Sequence, residues 1–287
     1  MKNIRHQTSY IRHHMKRQYL IDQIQIKKSF LCVGLDTDLS KIPKHLQSHP
    51  DAVFEFNKQI IDATKDLCVS YKINTAFYES MGLQGWVAME KTVNYIPATH
   101  FKIADAKRGD IGNTSSHYAK AFFEVMNFDA ITVAPYMGED SVRPFLAYEG
   151  KWAIVLGLTS NAGSTDFEQL KVQANSGKKA PEFLYERVLE TTSKWGTTDN
   201  LMFVVGATKA AELADVRRII PDHFLLVPGV GFQGGSLTDV AHYGLNKDCG
   251  LLVNASRAII YAGEDEKFAE EAAAIASQYQ QEMSGYL

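Results

Sequence analysis

The chain has 287 residues, 45% of them hydrophobic, and a formal net charge of −3 at pH 7. A chain of this length and composition can bury one large hydrophobic core. Because the charge is small and negative, it gives no electrostatic reason to expect a nucleic acid or a membrane surface as partner. No apolar run in the sequence is long enough to span a bilayer.

The three cysteines point to a reducing environment. Cys32, Cys68 and Cys249 each lie in an apolar run, and none has the spacing of a metal site. Scattered thiols of this kind are typical of reduced, buried cysteines. Since no charged segment followed by an apolar core opens the chain, we expect no secretory signal and a cytoplasmic location.

The first residues are polar and precede any hydrophobic pattern. Residues 1–15 include His6, His13 and His14, which we interpret as part of a disordered extension rather than as a metal site. A helical pattern from Lys16 leads into the first predicted strand. We therefore expect one domain over residues 16–287.

Eight short apolar runs alternate with longer segments of helical periodicity. The apolar residues in them are mostly continuous, as in parallel strands that are covered on both faces. The predicted strands are Phe30–Leu35, Cys68–Ile73, Phe101–Ala104, Ala130–Ala134, Trp152–Leu156, Met202–Val205, Phe224–Val227 and Gly250–Val253. Predicted helices include Ala52–Lys65, Gly85–Tyr95, Ser115–Met126, Glu182–Lys194, Lys209–Ile219 and Lys267–Met283.

This alternation predicts a closed (β/α)₈ barrel of the TIM type. A doubly wound open sheet is the alternative, but its G-x-G-x-x-G motif is missing after the first strand, where Asp36 stands instead. The longest connection runs from Thr159 to about Pro181. It contains Asn175-Ser-Gly177, a turn signal that is consistent with a small hairpin.

Three of the predicted strands end in charged residues. The first run ends at Asp36, the second at Lys72 and the third at Asp105, with Lys107 two residues later. One such charge alone is more often an exposed loop residue. The C-terminal ends of barrel strands, however, converge on one mouth, where these barrels carry out chemistry. We therefore predict that the four side chains form one charged cluster.

Spacing divides the segment Asp105-Ala-Lys-Arg-Gly-Asp110 into two parts. Asp105 and Lys107 share a face if the strand continues, because strand side chains alternate. Asp110 lies beyond Gly109, where the chain can turn away from the barrel axis, so it serves this site less directly or reaches a neighbouring subunit. Flanking carboxylates favour the charged form of Lys107, which suits a proton donor better than a Schiff-base nucleophile.

Two segments after the last two strands are typical of a phosphate site. Pro228-Gly-Val-Gly-Phe-Gln-Gly-Gly235 follows the seventh strand, and Asn254-Ala-Ser-Arg257 follows the eighth. Loops at these positions commonly bind phosphate in the barrel fold. Glycine allows close backbone approach, and Arg257 can bind two phosphate oxygens at once. After the fifth strand, Leu158-Thr-Ser-Asn161 can contact a polar ring edge or cap a helix.

Taken in chain order, these motifs resemble the orotidine 5′-phosphate decarboxylase family. The matching segments are Gly34-Leu-Asp36, Lys72, Asp105–Thr114 (DAKRGDIGNT), Leu158–Asn161, Pro228–Gly235 and Asn254–Ile259. The resemblance covers about Ser29 to Gly263, and D-x-K-x-x-D-I-G is its most specific element. The Ala134–Gly138 run (APYMG) and the chain length resemble the bacterial branch with larger insertions.

The resemblance implies a (β/α)₈ homodimer that converts orotidine 5′-monophosphate (OMP) to UMP and CO₂ in pyrimidine biosynthesis, with no metal and no cofactor. It implies that Lys107 donates the proton to C6 and that Asp105 lies beside the departing carboxylate. Asp36 and Lys72 would complete the charged array and hold ribose hydroxyls. Ser160 would contact the pyrimidine.

It also implies roles for residues farther from the reacting carbon. Asp110, Ile111 and Thr114 would come from the partner subunit. Gln233 and Arg257 would hold the phosphate, with Gly231 and Ser256 in the same substrate site and Phe232–Leu237 as a lid. Many relatives carry glycine directly before the arginine, where this chain has Ser256.

Three alternatives remain at this point. Mg²⁺-dependent sugar-phosphate decarboxylases or aldolases that resemble this family share D-x-K-x-x-D, but they carry an acidic residue on the second strand, where Lys72 would repel a metal. A non-catalytic binder of nucleotide phosphates would gain little from burying several charges. A Schiff-base aldolase would need a neutral lysine.

Overall fold

The computed structural model describes residues 15–173, 181–207, 210–231 and 235–287. Within them, eight parallel strands close into a barrel, which confirms the predicted (β/α)₈ fold. The barrel strands are β1 (Leu31–Gly34), β2 (Ser70–Asn74), β3 (Phe101–Arg108), β4 (Ala130–Val133), β5 (Trp152–Leu158), β8 (Leu201–Val205), β9 (Leu225–Pro228) and β10 (Leu251–Ala255). Each pairs with the barrel strands next to it along the chain, and β10 closes on β1.

A small hairpin lies between β5 and β8. Its strands, β6 (Lys171–Val172) and β7 (Glu182–Phe183), pair antiparallel. The predicted helix over Glu182–Lys194 is therefore wrong at its start, because the first two residues are paired with β6 and the helix begins at Leu184. The two strands flank the Asn175-Ser-Gly177 turn signal, which lies outside the described residues.

The helices cover the outside of the barrel. They are α1 (Arg17–Lys27), α2 (Lys44–Gln47), α3 (Ala52–Thr64), α4 (Thr75–Glu79), α5 (Leu83–Tyr95), α6 (Gly112–Lys120), α7 (Glu139–Leu146), α8 (Leu184–Thr192), α9 (Ala210–Ile219), α10 (Leu237–Gly244), α11 (Arg257–Ile260) and α12 (Phe268–Ser284). A π-helical turn, Ala121–Val125, continues α6, and a 3₁₀ turn, Ala162–Asp166, follows β5.

The core explains why the strand runs are continuously apolar. Every residue of β1, β4, β8 and β10 is buried, as expected when helices cover one face of a parallel strand and the barrel interior covers the other. Helix α3 turns Val53, Phe56 and Ile60 inward at helical spacing. Phe56 stacks on Phe268 of α12, with ring centroids 5.1 Å apart. Apolar side chains on both faces of the strands therefore form one continuous core.

The third barrel strand is longer than predicted. It was expected to end at Ala104 but continues to Arg108. Its pairing with β4 shifts register between these two residues, and Lys107 within the shifted stretch has a φ angle of +46°. This irregular strand end carries two residues of the predicted site.

Helix α1 covers the N-terminal end of the barrel, opposite the predicted site. Arg17 donates hydrogen bonds to the backbone carbonyls of Thr198 and Asp222. Met15, which the sequence grouped with the extension, is buried, and its carbonyl accepts a hydrogen bond of 2.9 Å from the Trp152 indole. Residues 1–14 lie outside the described part of the chain. No helix within the described ranges has the length and apolar character needed to cross a membrane.

Candidate active site

The barrel mouth brings the four predicted charged side chains together. Asp36 follows β1, Lys72 lies on β2, and Asp105 and Lys107 lie on β3. Lys72 Nζ is 3.2 Å from Asp36 Oδ1 and 3.0 Å from Asp105 Oδ2. Lys107 Nζ is 2.5 Å from Asp105 Oδ1. These residues form an alternating row of carboxylates and ammonium groups, which we call the charged array.

The array differs in exposure from one end to the other. The Lys72 side chain is only 5% exposed, whereas that of Lys107 is 51% exposed. Burial alone would lower the pKa of Lys72, but the carboxylates of Asp105 and Asp36 outweigh it and raise that pKa well above its ordinary value. Lys72 is thus a permanent buried cation, while Lys107 presents its ammonium to the open mouth.

Asp105 is the carboxylate at the centre of the array. Burial alone would raise the pKa of Asp105, but the neighbouring ammonium groups of Lys72 and Lys107 outweigh it and hold that pKa well below its usual range. Asp105 therefore stays ionised at neutral pH. A fixed negative charge at this position is available to act on whatever group is bound beside it.

Thr132 on β4 supports the array, and the sequence analysis did not single it out. Its hydroxyl lies 3.1 Å from Asp105 Oδ1 and accepts a 2.9 Å hydrogen bond from the Lys107 backbone N–H. Thr132 thus joins the carboxylate and the backbone of the lysine beside it. The available signal was a hydroxyl residue inside the otherwise apolar run Ala130-Ile-Thr-Val133.

A cavity of about 160 Å³ extends from the array toward the ends of β9 and β10. Its lining joins Asp36, Lys72 and Asp105 to the predicted phosphate segment, of which Ser256 and Arg257 are members. The remaining lining residues are Asn74, Pro228, Gly229, Val230, Asn254, Ala255 and Ala258. One continuous space therefore connects three members of the charged array with Arg257, while Lys107 lies outside its lining.

Close packing of β1 against β10 shapes this cavity. The Ser256 hydroxyl donates a 3.0 Å hydrogen bond to the Gly34 carbonyl. A Cβ atom at Gly34 would lie only 2.7 Å from the Ser256 Cβ. Glycine at position 34 therefore lets the β10 end approach β1, and the Ser256 hydroxyl is turned toward that strand.

The structure describes only some of the other residues that were predicted to bind phosphate. Gly231 has a φ angle of +78° and its N–H donates to the Gly235 carbonyl at 2.9 Å, so it forms the turn after β9 outside the cavity lining. Gln233, and with it Phe232 and Gly234 of the predicted lid, lies outside the described residues.

Ser160 lies at the end of β5, apart from the cavity lining. The loop that carries it is fixed by Glu168, which accepts hydrogen bonds from the Thr159 N–H at 2.7 Å and the Thr159 hydroxyl at 2.8 Å. A Cβ atom at Gly206 would lie 2.7 Å from the Ser160 Cβ, so the two strand ends are in close contact. Glu168 is a supporting residue that the sequence analysis did not identify.

Tyr261 is a third residue that the sequence analysis missed. Its hydroxyl donates to the Asp36 carbonyl at 3.2 Å and accepts from the Asp38 N–H at 2.8 Å. Tyr261 directly follows α11, so it links the loop carrying Asp36 to the segment carrying Arg257. An aromatic residue after an apolar run gave no sequence signal for this contact.

Among the described residues, no hydrogen bond or ion pair links the side chains of Asp110, Ile111 and Thr114 to the charged array. The Asp110 carboxylate accepts a 2.8 Å hydrogen bond from the Ile111 N–H, and it forms no ion pair with any described residue. Ile111 is 59% exposed and Thr114 is exposed as well. Nearby along the mouth, Tyr136 is 95% exposed. This segment therefore exposes the apolar side chain of Ile111 next to the half-buried Asp110.

Comparisons with known proteins identify the family of this chain. The family model described as "Orotidine 5'-phosphate decarboxylase / HUMPS family" matches residues 29–272. An orotidine 5'-phosphate decarboxylase of Flavobacterium johnsoniae is 59% identical over 273 residues, which are 94% of this chain and 97% of the relative. One of Bacteroides fragilis is 57% identical over 276 residues, or 95% of this chain and 98% of the relative.

Solved structures give the same result. The putative orotidine-monophosphate-decarboxylase of Toxoplasma gondii is 32% identical, with a TM-score of 0.82 over 95% of this chain and 98% of that one. The OMP decarboxylase of Leishmania donovani is 35% identical, with a TM-score of 0.76 over 93% and 99% of the two chains. With a matching family model over most of its length and close relatives along nearly all of it, this chain belongs to the orotidine 5′-phosphate decarboxylase family.

Proposed function

We propose that this protein decarboxylates OMP to UMP and CO₂, the final step of UMP biosynthesis, with Lys107 as proton donor. The observation that carries the proposal is the charged array of Asp36, Lys72, Asp105 and Lys107. One cavity, lined by its first three members, joins this array to Arg257. The names of its relatives identify the substrate.

The reaction requires stabilisation of negative charge on carbon. When CO₂ leaves, the bonding electrons remain at C6 of the pyrimidine, where no adjacent π-system delocalises them well. A preorganised cation aimed at that carbon stabilises the charge as it develops. Lys107 suits this role because its ammonium is held by Asp105 yet remains half exposed to the mouth. The same ammonium then gives a proton to C6.

Asp105 raises the energy of the bound substrate, whereas Lys107 lowers the energy of the transition state. Its ionised carboxylate would lie beside the substrate carboxylate, and like charges at close range repel. Loss of neutral CO₂ removes that repulsion. The low pKa of Asp105 supports this role, because protonation would abolish the repulsion and Asp105 resists protonation.

The array also supports a reaction that proceeds without a divalent cation. The ammonium of Lys72 lies between the carboxylates of Asp36 and Asp105, within 3.2 Å of both. A divalent cation that used these two carboxylates would have to displace this buried ammonium. Lys72 and Asp36 are instead suited to hold ribose hydroxyls, which can both donate to the carboxylate and accept from the lysine.

Phosphate binding is assigned to the far end of the cavity. Arg257 would bind the phosphate together with Gln233, and Gly231 and Ser256 would shape the surrounding backbone. Binding energy gained there, remote from C6, can drive closure of the loop Phe232–Leu237 over the substrate. Ser160 would contact the pyrimidine edge from the end of β5.

We propose further that the site is completed by a second copy of the chain. Asp110 forms no ion pair with its own array among the described residues, and Ile111 is largely exposed. An outward apolar side chain next to a carboxylate fits a two-fold contact in which each copy inserts this segment beside the other's array. The homodimer would then have two shared active sites.

One assay tests the proposed function. Purified protein should consume OMP, followed by its ultraviolet absorbance, equally well with and without EDTA. The Lys107→Ala variant should lose at least about 10³-fold in turnover, because both charge stabilisation and proton donation are removed. Its affinity for UMP should stay within a modest factor of the parent value.

The outcomes separate the parts of the proposal. If the parent protein consumes no OMP, the proposed function is wrong. If EDTA stops the reaction and Mg²⁺ restores it, the metal-independent mechanism is wrong. If Lys107→Ala retains substantial turnover, Lys107 is not the proton donor.

A further inference from the structure

The backbone at Lys107 adopts a conformation that lysine rarely takes. Its φ angle is +46°, in the left-handed region where a Cβ atom is disfavoured by its own backbone. Such a conformation persists only where surrounding contacts determine it. One such contact is the hydrogen bond from the Lys107 N–H to the Thr132 hydroxyl, and the others are made by the next residue, Arg108.

The side chain of Arg108 bonds back to the residue that precedes Lys107. Its Nη1 donates a 3.0 Å hydrogen bond back to the carbonyl of Ala106. Its own carbonyl accepts a 2.9 Å hydrogen bond from the Ala134 N–H. The Arg108 side chain thus fixes the residue before Lys107, while its main chain is fixed to the segment after β4.

The guanidinium of Arg108 is itself anchored to two helices. Its Nη2 forms an ion pair with Glu79, the last residue of α4. It also lies over the rings of Tyr118 in α6 and Phe122 in the following π-helical turn, 5.5 Å from each centroid. The side chain is 21% exposed, so these contacts are largely shielded from water.

We propose that Arg108 is a positioning residue that holds Lys107 in the left-handed conformation from which its ammonium reaches Asp105. This role rests on the proposed function of Lys107. Three directions of contact are needed at once: to Ala106, to Glu79 and to the aromatic rings. A planar guanidinium provides them together, whereas the single ammonium of a lysine does not.

The anchoring also connects the two lysines of the array. Helix α4 begins directly after β2, the strand that carries Lys72. Through Glu79, Arg108 ties the strand end that carries Lys107 to the element that follows Lys72. Because both ammonium groups contact Asp105, their relative position determines the geometry at the reacting carbon.

The test compares arginines at the two ends of the barrel. Arg108→Gln should lower kcat for OMP by about 100-fold, the scale expected when a catalytic group moves by about 1 Å. KM and the affinity for UMP should change by less than about threefold, because ground-state contacts are kept. Arg108→Lys should fall between Arg108→Gln and the parent protein.

Arg17→Gln is the matched control. Arg17 likewise pairs with a carboxylate, Asp248, at 2.9 Å, donates to backbone carbonyls and lies over an aromatic ring, that of Phe224, at 5.0 Å. It lies at the opposite end of the barrel, so its loss should reduce thermal stability and leave kcat within about threefold of the parent. If Arg108→Gln does not fold, Glu79→Gln replaces it, with an expected loss of about tenfold in kcat at unchanged KM.

The outcomes are distinct. A selective fall in kcat for Arg108→Gln or Glu79→Gln, with Arg17→Gln unaffected, supports the positioning role. A parent-like kcat in the Arg108 variant, or equal losses at the two ends of the barrel, overturns it and leaves the proposed function intact. A parent protein without OMP turnover overturns both.

Discussion

The two ends of the barrel contain similar charged residues in different arrangements. At the mouth, Lys72 and Lys107 contact carboxylates. At the opposite end, the lysines contact mostly backbone: Lys27 Nζ donates to the carbonyls of Lys65 and Cys68 at 2.7 and 2.8 Å, and Lys151 Nζ to that of Phe128 at 2.6 Å. The bonds at that end hold chain segments to one another.

The direction of the pKa shifts differs in the same way. At the mouth, the pKa of Lys72 is raised and that of Asp105 is lowered. At the opposite end, burial lowers the pKa of Lys102 and raises that of Asp129, in spite of the charges near them. Charge pairing exceeds desolvation at the mouth, and desolvation exceeds charge pairing at the other end.

In a barrel with charged residues at both ends, this contrast distinguishes residues that can act in catalysis from residues that stabilise the fold. A group whose charged form is favoured by its neighbours can act on a ligand at neutral pH. A group whose charged form is disfavoured by burial is tolerated for the backbone bonds it makes. The position of a lysine in the barrel therefore matters less than what its ammonium contacts.

The largest expected effect is on catalytic activity. We expect the site at the barrel mouth to need a second copy of the chain, and the opposite end not to need one. Lys107→Ala and Asp110→Ala should each be nearly inactive alone. Co-expressed, half of the dimers would contain one chain of each type and one intact site, so activity should recover to about a quarter of the parent value. Differently tagged chains allow the mixed dimer to be purified and assayed.

The control for this experiment is co-expression of Lys107→Ala with Lys72→Met. Both residues belong to the same barrel's array, so no intact site forms and no recovery is expected. Recovery in the control, or none from the Lys107 and Asp110 pair in purified mixed dimers, would contradict a site shared between copies.

A smaller effect is expected at the opposite end of the barrel, where pH should change the stability of the folded protein. His100 Nε2 lies 2.7 Å from Lys27 Nζ, and burial followed by that positive charge lowers the pKa of His100 from 6.5 to about 4. Between these values the unfolded chain binds more protons than the folded one. The free energy of unfolding should therefore decrease by at most about 3 kcal/mol as the pH falls from 6.5 to 4.

Chemical denaturation across this pH range measures the effect. His100→Gln should flatten the pH dependence by about that amount. If His100→Gln retains the full parent slope, His100 is not neutral in the folded protein and the contrast between the two ends is weaker than described.

The sequence was sufficient to predict the barrel and the four array residues. Continuous apolar runs ending in Asp36, Lys72 and Asp105 indicate both parallel strands and polar groups at one end of them. The prediction succeeds because a strand that is buried on both faces can carry a charged side chain at few positions other than its end. The same logic applies to Thr132, because a hydroxyl residue within an apolar strand also indicates a polar contact in the barrel interior.

Features that depend on contacts distant in sequence were not predictable. The left-handed Lys107 follows from bonds to Thr132 and through Arg108 to Glu79, and lysine itself gives no signal for a positive φ angle. The start of the helix at Leu184 depends on pairing of Glu182 and Phe183 with a strand ten residues earlier. Local periodicity cannot report such pairings.

One measurement tests the contrast between the two ends most directly: kcat/KM for OMP in Lys72→Met and Lys102→Met. Both lysines lie on barrel strands and are buried, at 4% and 8% exposure, so the two substitutions are closely matched. Lys72→Met should lower kcat/KM by about 10³-fold, and Lys102→Met should leave it within about threefold. Similar losses in both variants, with both folded by thermal unfolding, would contradict the account.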